Sequence, residues 1–253
     1  MDILLKTSTI TFIINTNLFF EFKYLYEVIS HDVRNHISKN IYYVAYKTSY
    51  EGIHQKRNSK HKKSFLNQIS LGIYINSVNN KKLELMIFKN VIKMNGCTCT
   101  NDAVDTIIFL WIKYISRPKC FIIINERAKF IFEEVMINKS FVLPYKIFKE
   151  NFNEVMNKYY TNECISFYEP STRNSISIEM TPTVKNKNII IIEELTNTQF
   201  EISTTTIEKK SKGSNFMIFE ENVIISGSNI VQIYEDYEFV KRILIDHKKE
   251  IEI

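Results

Sequence analysis

Glycine and proline are scarce in this sequence, at 5 and 4 among 253 residues. So few of each exclude a collagen-like repeat and a proline-rich extended chain. Hydrophobic residues make up 45% of the chain, which is enough for a substantial core, so general disorder is excluded as well. A chain of this length forms either one large domain or two modest ones.

Long apolar runs are also lacking. No run reaches the roughly 18 residues that a membrane-spanning helix needs. The first 20 residues contain no basic segment followed by a clean apolar stretch, which is the pattern of a secretory leader. We therefore expect an intracellular protein without a membrane partner.

Patterns typical of metal sites and enzymes are missing too. The four cysteines do not have the spacing of a zinc site, and we interpret them as reduced thiols. There is no Gly-x-Ser-x-Gly motif and no glycine-rich phosphate loop, and the five histidines show no catalytic spacing. The sequence predicts neither an enzyme nor a bound cofactor or metal.

The net charge is +5, which permits binding to a polyanion without demanding it. Basic residues concentrate in one polar segment, at Lys56, Arg57, Lys62 and Lys63. Such a run is usually a solvated loop. It could also contact phosphates of a nucleic acid, in which case binding would depend on salt.

One pattern occurs twice. Met86-Ile87-Phe88 is followed eight positions later by Gly96, and Met217-Ile218-Phe219 is followed eight positions later by Gly227. Each glycine leads into a helix-like segment, 102–115 in the first copy and 230–245 in the second. An internal repeat constrains the whole fold. It predicts two related halves, residues 1–126 and 127–253.

Hydrophobic periodicity gives the same order of elements in both halves. The first half contains a strand at 10–14, a helix from Phe20, a hairpin over 69–87 and a helix with Val104, Trp111 and Ile112 on its apolar face. The second contains a strand at 130–142, a helix at 145–160, strands near 176–180, 189–192, 200–206, 215–219 and 223–226, and a last helix. Thr100 or Asn101 is expected to cap the helix at 102–115. Grouped antiparallel strands with helices on one face predict an α+β fold.

These residues resemble the TATA-binding protein family, which has two pseudo-repeats of this order forming a saddle-shaped antiparallel sheet with helices on the convex face. The run 217–227 looks like the end of the family's repeat, with Ser226 in a threonine position, and 86–96 looks like the other copy, with Asn95 in that position. The resemblance implies that Asn95 and Ser226 contact DNA. Tyr168-Glu169-Pro170 and Leu143-Pro144 match short family motifs.

The resemblance implies that phenylalanines insert between base pairs and bend the DNA. Phe65, Phe88 and Phe219 correspond to three of the family's four inserted phenylalanines. The fourth would fall near Arg173, where no aromatic residue occurs from Ser171 to Thr181. From the residues alone, Phe88 and Phe219 could equally be ordinary core residues.

The family also has an asparagine near the start of each repeat that reads the centre of the A·T site. The resemblance puts Thr9 and Glu134 at these two positions. A carboxylate there would be repelled by acceptors in the minor groove, and threonine makes fewer contacts than asparagine. These departures bear on the DNA sequence that would be recognised, and they leave the expected fold unchanged.

The resemblance implies a transcription initiation factor that binds and bends AT-rich double-stranded DNA in the minor groove. Its expected protein partners are a transcription factor IIB-like factor or RNA polymerase subunits. Long divergent loops and an AT-rich composition look more like the TATA-binding-like proteins of large DNA viruses, which implies the nucleus, a viral factory or the virion. The alternative is a protein-interaction module that keeps the fold and has lost specific DNA binding.

Overall fold

The structure is a computed structural model that describes residues 4–47, 49–52, 67–75, 81–123, 127–184, 186–196, 198–209 and 212–253. Its strands are β1 Lys6–Thr16, β2 Leu18–Phe20, β3 Ile41–Tyr46, β4 Ser49–Gly52, β5 Ile69–Tyr74, β6 Lys82–Ile87, β7 Val91–Cys97, β8 Phe121–Ile123, β9 Lys129–Val142, β10 Cys164–Phe167, β11 Ile176–Met180, β12 Asn186–Thr196, β13 Gln199–Glu208, β14 Asn215–Ile218 and β15 Asn222–Gly227. Its helices are α1 Phe22–Arg34, α2 Thr100–Leu110, α3 Lys149–Tyr159, α4 Ile230–Asp246 and α5 Lys248–Ile251.

The chain divides into two compact units. The amino-terminal unit comprises Thr11–Glu133 and Asn188–Thr205, and the carboxy-terminal unit comprises Met1–Ile10, Glu134–Lys187 and Thr206–Ile253. Both units are built from non-contiguous segments. The boundary between residues 126 and 127 that the sequence suggests for its two repeats stays a prediction.

The amino-terminal unit has the strand order β1-β7-β6-β5-β3-β4. The predicted hairpin over 69–87 is confirmed, with Ile69 opposite Ile87 and Leu71 opposite Leu85. Alternate residues of β6 are buried, so one face of this sheet is covered. The covering elements include α1, which packs on β3, and α2, which packs on β7.

The carboxy-terminal unit has the strand order β10-β11-β14-β15-β9. This order repeats β3-β5-β6-β7-β1 of the amino-terminal unit, because in both units the first strand of the repeat lies beside the last. Helices α3 and α4 pack on β10 and β15. Antiparallel pairing with helices packed on the sheet confirms the predicted α+β class in each unit.

The first turn of α2 is capped differently from the prediction. Cys99 is the N-cap residue, and neither Thr100 nor Asn101 caps the helix. The carboxylate of Asp102 accepts hydrogen bonds from the main-chain N–H groups of Thr98 at 2.7 Å and Cys99 at 3.3 Å. An acidic side chain at the third helical position satisfies donors that would otherwise lack partners.

Helix α2 continues into a π-helical turn, Trp111–Ile115. Trp111 is buried, as predicted, and its indole N–H donates to Glu194 at 3.0 Å. Ile112 was predicted on the apolar face, and this was wrong because its side chain is 46% exposed. A π turn takes more residues than an α turn, so the 3.6-residue period no longer gives the buried face.

Helix α3 begins at Lys149 and not at the predicted residue 145. Ile147 is fully buried, and it forms an isolated antiparallel bridge with Glu252. Ile147 therefore fits the apolar spacing of the predicted helix because it is buried, although it lies in extended chain. Spacing alone cannot distinguish a buried extended residue from the first turn of a helix.

The two repeated glycines lie where a strand ends before a helix. Gly96 has a φ of +98°, which a residue with a Cβ atom rarely adopts. Gly227 has no such φ, but a Cβ there would lie 2.8 Å from Cγ1 of Ile233 on α4. The same residue is thus required for backbone conformation in one repeat and for close helix packing in the other.

The segment after β11 forms a long hairpin. Strand β12 pairs with β9, with Ile190 opposite Phe132, and β13 pairs with β12. Both strands are longer than the predicted 189–192 and 200–206. Within the described residues no helix combines the length and apolarity needed to cross a membrane.

Candidate nucleic-acid interface

Among the described residues, no helix covers one face of the carboxy-terminal sheet, and this open face carries exposed apolar side chains. Met217 on β14 lies opposite Ser177 on β11 and Ile224 on β15. The most exposed apolar residues of this open face, each at least 44% accessible, are Val142, Ile165, Phe167 and Met217. Their neighbours along each strand are buried, because side chains alternate between the two faces.

Hydrogen bonds join three polar side chains of the same unit. The hydroxyl of Ser226 donates to Oδ1 of Asn138 at 2.8 Å, and Nδ2 of Asn138 donates to the hydroxyl of Thr9 at 3.0 Å. The sequence suggests Thr9 and Ser226 as DNA-contacting residues, and the structure brings both onto Asn138.

Sequence reasoning missed Asn138. The resemblance puts Glu134 in the asparagine position of β9, whereas the residue directly opposite Ser226 is Asn138, four positions later. The signal that could have found it is the pairing of β9 with β15. That pairing is non-local, so no pattern within β9 reveals it.

In the part of the chain that the structure describes, the amino-terminal sheet has an open face as well. Asn95 on β7 lies opposite Glu84 on β6, and Lys93 lies opposite Met86. These positions alternate with buried Leu85, Ile92 and Met94. Asn95, which the sequence suggests as a DNA contact, is therefore at a partly exposed position on this face.

Phe88 and Phe219 occupy equivalent turns in the two units. The main-chain N–H of Phe88 donates to the carbonyl of Val91 at 2.8 Å, and that of Phe219 donates to the carbonyl of Asn222 at 2.9 Å. Each follows a fully buried isoleucine and is itself half-buried. Both are thus at strand ends, with part of the ring accessible.

The remaining suggested residues cannot be placed. Phe65 and the basic residues Lys56, Arg57, Lys62 and Lys63 all lie outside the described residues. Their assignment as a wedge and as phosphate contacts stays a prediction.

An exposed aromatic side chain does lie close to Arg173. Phe167 at the end of β10 is 51% exposed, and the guanidinium carbon of Arg173 is 5.9 Å from the centre of its ring. Phe167 immediately precedes the Tyr168-Glu169-Pro170 turn. The resemblance places the fourth wedge after this turn, near Arg173, whereas Phe167 lies before the turn.

The turn after Phe167 is held by Glu169. Its carboxylate accepts hydrogen bonds from the hydroxyl of Ser171 at 2.7 Å and from the main-chain N–H of Ser171 at 3.3 Å. These bonds, the hydroxyl's first, lower the pKa of Glu169 below its usual value. The turn beside Phe167 therefore carries an ionised carboxylate at neutral pH.

The open faces carry charges of both signs. In the amino-terminal unit Lys82 and Lys93 share the face with Glu84, and in the carboxy-terminal unit Glu179 lies opposite Ile165. A strongly basic face would have favoured DNA binding, and a strongly acidic one a protein partner. The mixture among the described residues of these faces favours neither.

Several solved structures are similar to this chain, and one of them can be set beside this geometry. The structure of Methanococcus jannaschii TBP is similar to this chain, with a TM-score of 0.49 and 10% sequence identity, over 98% of this chain and 99% of that chain. No family model and no curated protein matches the sequence. The assignment of residues to the interface rests on the strands and contacts of this chain.

Proposed function

We propose that this chain is a transcription initiation factor that binds AT-rich double-stranded DNA through the open faces of its two sheets. The observation that carries the proposal is the equivalent placement of Phe88 and Phe219 at two strand ends, together with the repeated Met-Ile-Phe…Gly pattern that first suggested the family. Apolar side chains at such positions can insert between base pairs and kink a duplex.

The composition of the open faces supports minor-groove contact. Amide groups at Asn95 and Asn138 can donate hydrogen bonds, and the minor groove of A·T pairs offers only acceptors. Exposed apolar residues such as Met217 and Ile165 would lie against sugars and base edges. The mixed charge of the faces means that phosphate contacts would have to come from residues around them.

The test is a mobility-shift and bending assay on AT-rich and GC-rich duplexes. We expect Phe88→Ala and Phe219→Ala each to weaken binding to the AT-rich duplex and to reduce the bend, because unstacking needs an apolar wedge. Phe109→Ala is the matched control, since Phe109 is a half-buried phenylalanine on α2. Unchanged affinity and bending in both test variants would contradict the wedge mechanism.

A second candidate function is that of a protein-interaction module. The observation that favours it is a cluster of exposed apolar side chains at the start of α4, formed by Ile230, Val231 and Tyr234. Such a cluster fits a protein partner, for which a transcription factor IIB-like factor or a polymerase subunit is the proposed identity. If the chain binds no duplex and a polymerase subunit still co-purifies with it, this candidate replaces the first. In either case the proposed place of action is the nucleus or a viral factory.

A further inference from the structure

Strand β13 is the outer strand of the long hairpin. Among the described residues it pairs with β12 alone, and β12 pairs with β9 through Ile190 and Phe132. Residues 199–205 of β13 belong to the amino-terminal unit. This stretch, named here the β13 edge, therefore forms a margin of that unit's sheet.

The β13 edge is unusually accessible for a strand. Residues 201–205 are exposed at every position, and the side chain of Ile202 is 55% exposed. An edge strand presents a row of main-chain donors and acceptors that a further strand can pair with. Natural edges are commonly protected by lysine or proline. The β13 edge reads Gln-Phe-Glu-Ile-Ser-Thr-Thr, with neither of these and a single charge at Glu201.

The β13 edge is complementary to itself when two copies run antiparallel about Ile202. In that register Ile202 lies opposite its own copy, Phe200 opposite Thr204, and Glu201 opposite Ser203. No like charges face each other. A parallel arrangement would put Glu201 opposite Glu201, which is destabilising.

We propose that the β13 edge is a strand-addition site whose partner is the same edge of a second copy of this chain. The two copies form a two-fold symmetric dimer, in which residue i of one copy faces residue j of the other and the reverse also holds. Main-chain hydrogen bonds provide the pairing, and the contact of the two Ile202 side chains sets the register. This inference does not depend on the proposed DNA binding.

The size of the contact sets the strength of the dimer. Seven residues from each copy are far fewer than the roughly 20–30 residues a side of a standard stable interface. The dimer is therefore weak, and its population rises with protein concentration. Sedimentation equilibrium over a range of micromolar concentrations should show a reversible monomer–dimer exchange.

The first variant to test is Ile202→Lys. It puts two ammonium groups opposite each other at the two-fold axis, so we expect the dimer to be lost. Ile112→Lys is the matched control, because Ile112 is similarly exposed on the π-helical turn, and it should dimerise like the unaltered chain. A chain that is monomeric at every concentration, or a dimer that persists in Ile202→Lys, would overturn the proposal.

The register is tested by cross-linking under a mild oxidant. Cys99 is the exposed native cysteine, so a Cys99→Ser background removes it while keeping a good N-cap residue. Ile202→Cys should give a disulfide-linked dimer rapidly, because directly opposed residues have Cα atoms about 4.5–5.5 Å apart, within disulfide range. Ser203→Cys lies opposite Glu201 and should cross-link much more slowly.

Equal rates for the two cysteine variants, or a faster rate for Ser203→Cys, would overturn the register about Ile202. A monomeric chain that binds an extended segment of a different protein along β13 would overturn self-pairing. Circular dichroism of each variant separates loss of the dimer from loss of the fold, because the hairpin edge is exposed and its substitution should leave the spectrum unchanged.

Discussion

Asn138 has hydrogen-bonding capacity beyond the bonds it makes. A side-chain amide offers two donors and two acceptor lone pairs. Ser226 uses one lone pair and Thr9 one donor. The two bonds fix the orientation of the amide, and the second N–H remains for a ligand. A fixed donor loses less entropy on binding than a mobile one, which suits it to reading a groove of acceptors.

We predict that Asn138→Asp weakens binding to an AT-rich duplex by about tenfold, because it removes both donors and adds a charge of the same sign as DNA. Titration of a labelled duplex measures the change. Ser140→Asp is the control, since it adds the same charge two residues along the same strand. If the two variants bind equally well, the lost donor does not contribute and only the charge matters.

At the scale of single elements, α2 depends on the carboxylate of Asp102. Burial raises the pKa of Asp102, but hydrogen bonds from Thr98 and Cys99 more than offset this, and its pKa is below the usual value. The ionised form is thus favoured by folding. The stabilisation is present above the unfolded-state pKa of about 3.9 and is lost as the pH falls through the lower pKa of the folded protein.

We predict that Asp102→Asn lowers the free energy of unfolding by about 1 kcal/mol at pH 7. The difference between the variant and the unaltered chain should shrink as the pH falls below about 4, because the unfolded chain then binds a proton that the folded carboxylate takes up only at a lower pH. Urea denaturation at several pH values measures it. Asp105→Asn, at an exposed position of the same helix, should have little effect, and a difference that grows in acid would contradict the explanation.

Elements with a strict local period are the ones that the sequence predicts well. The alternation of Ile69, Leu71 and Ile73 predicts β5, and the spacing of Ile233, Tyr237, Val240 and Leu244 predicts α4. Prediction fails where a distant contact decides the conformation. Ile147 is held in an extended bridge by Glu252, and the π turn moves Ile112 into solvent.

The same distinction applies to the candidate interface. Phe88 and Phe219 were found because the repeat marks them along the chain. Asn138 was missed because its position depends on the pairing of β9 with β15. Phe167 was missed because the search looked for an aromatic residue after the Tyr168-Glu169-Pro170 turn, and the exposed one comes just before it.

At the scale of the whole molecule, the first ten residues belong to the carboxy-terminal unit. Lys139 is buried in that unit, and its ammonium group donates to the hydroxyls of Thr7 at 3.1 Å and Tyr234 at 3.2 Å. Ile10 is buried as well. A unit can thus depend on residues far from it along the chain, which a division into contiguous halves does not anticipate.

We predict that deleting residues 1–10 destabilises the carboxy-terminal unit by at least about 2 kcal/mol, from the lost burial of Ile10 and the lost hydrogen bond from the buried Lys139 to Thr7. Hydrogen exchange of β9 and β15 amides measures it. Thr9→Val, which removes one hydrogen bond, should have a smaller effect. Equal protection of these amides with and without the deleted segment would contradict the division into these units.

The π-helical turn has a consequence for comparing the two repeats residue by residue. Because the turn absorbs a residue beyond the α-helical count, α2 and α4 cannot be aligned position by position past Leu110 without a gap. With Thr100 and Ile230 in register and no gap, the buried Ile115 falls opposite the exposed Ile245. The two repeats are therefore better compared through their strands than through the ends of their last helices.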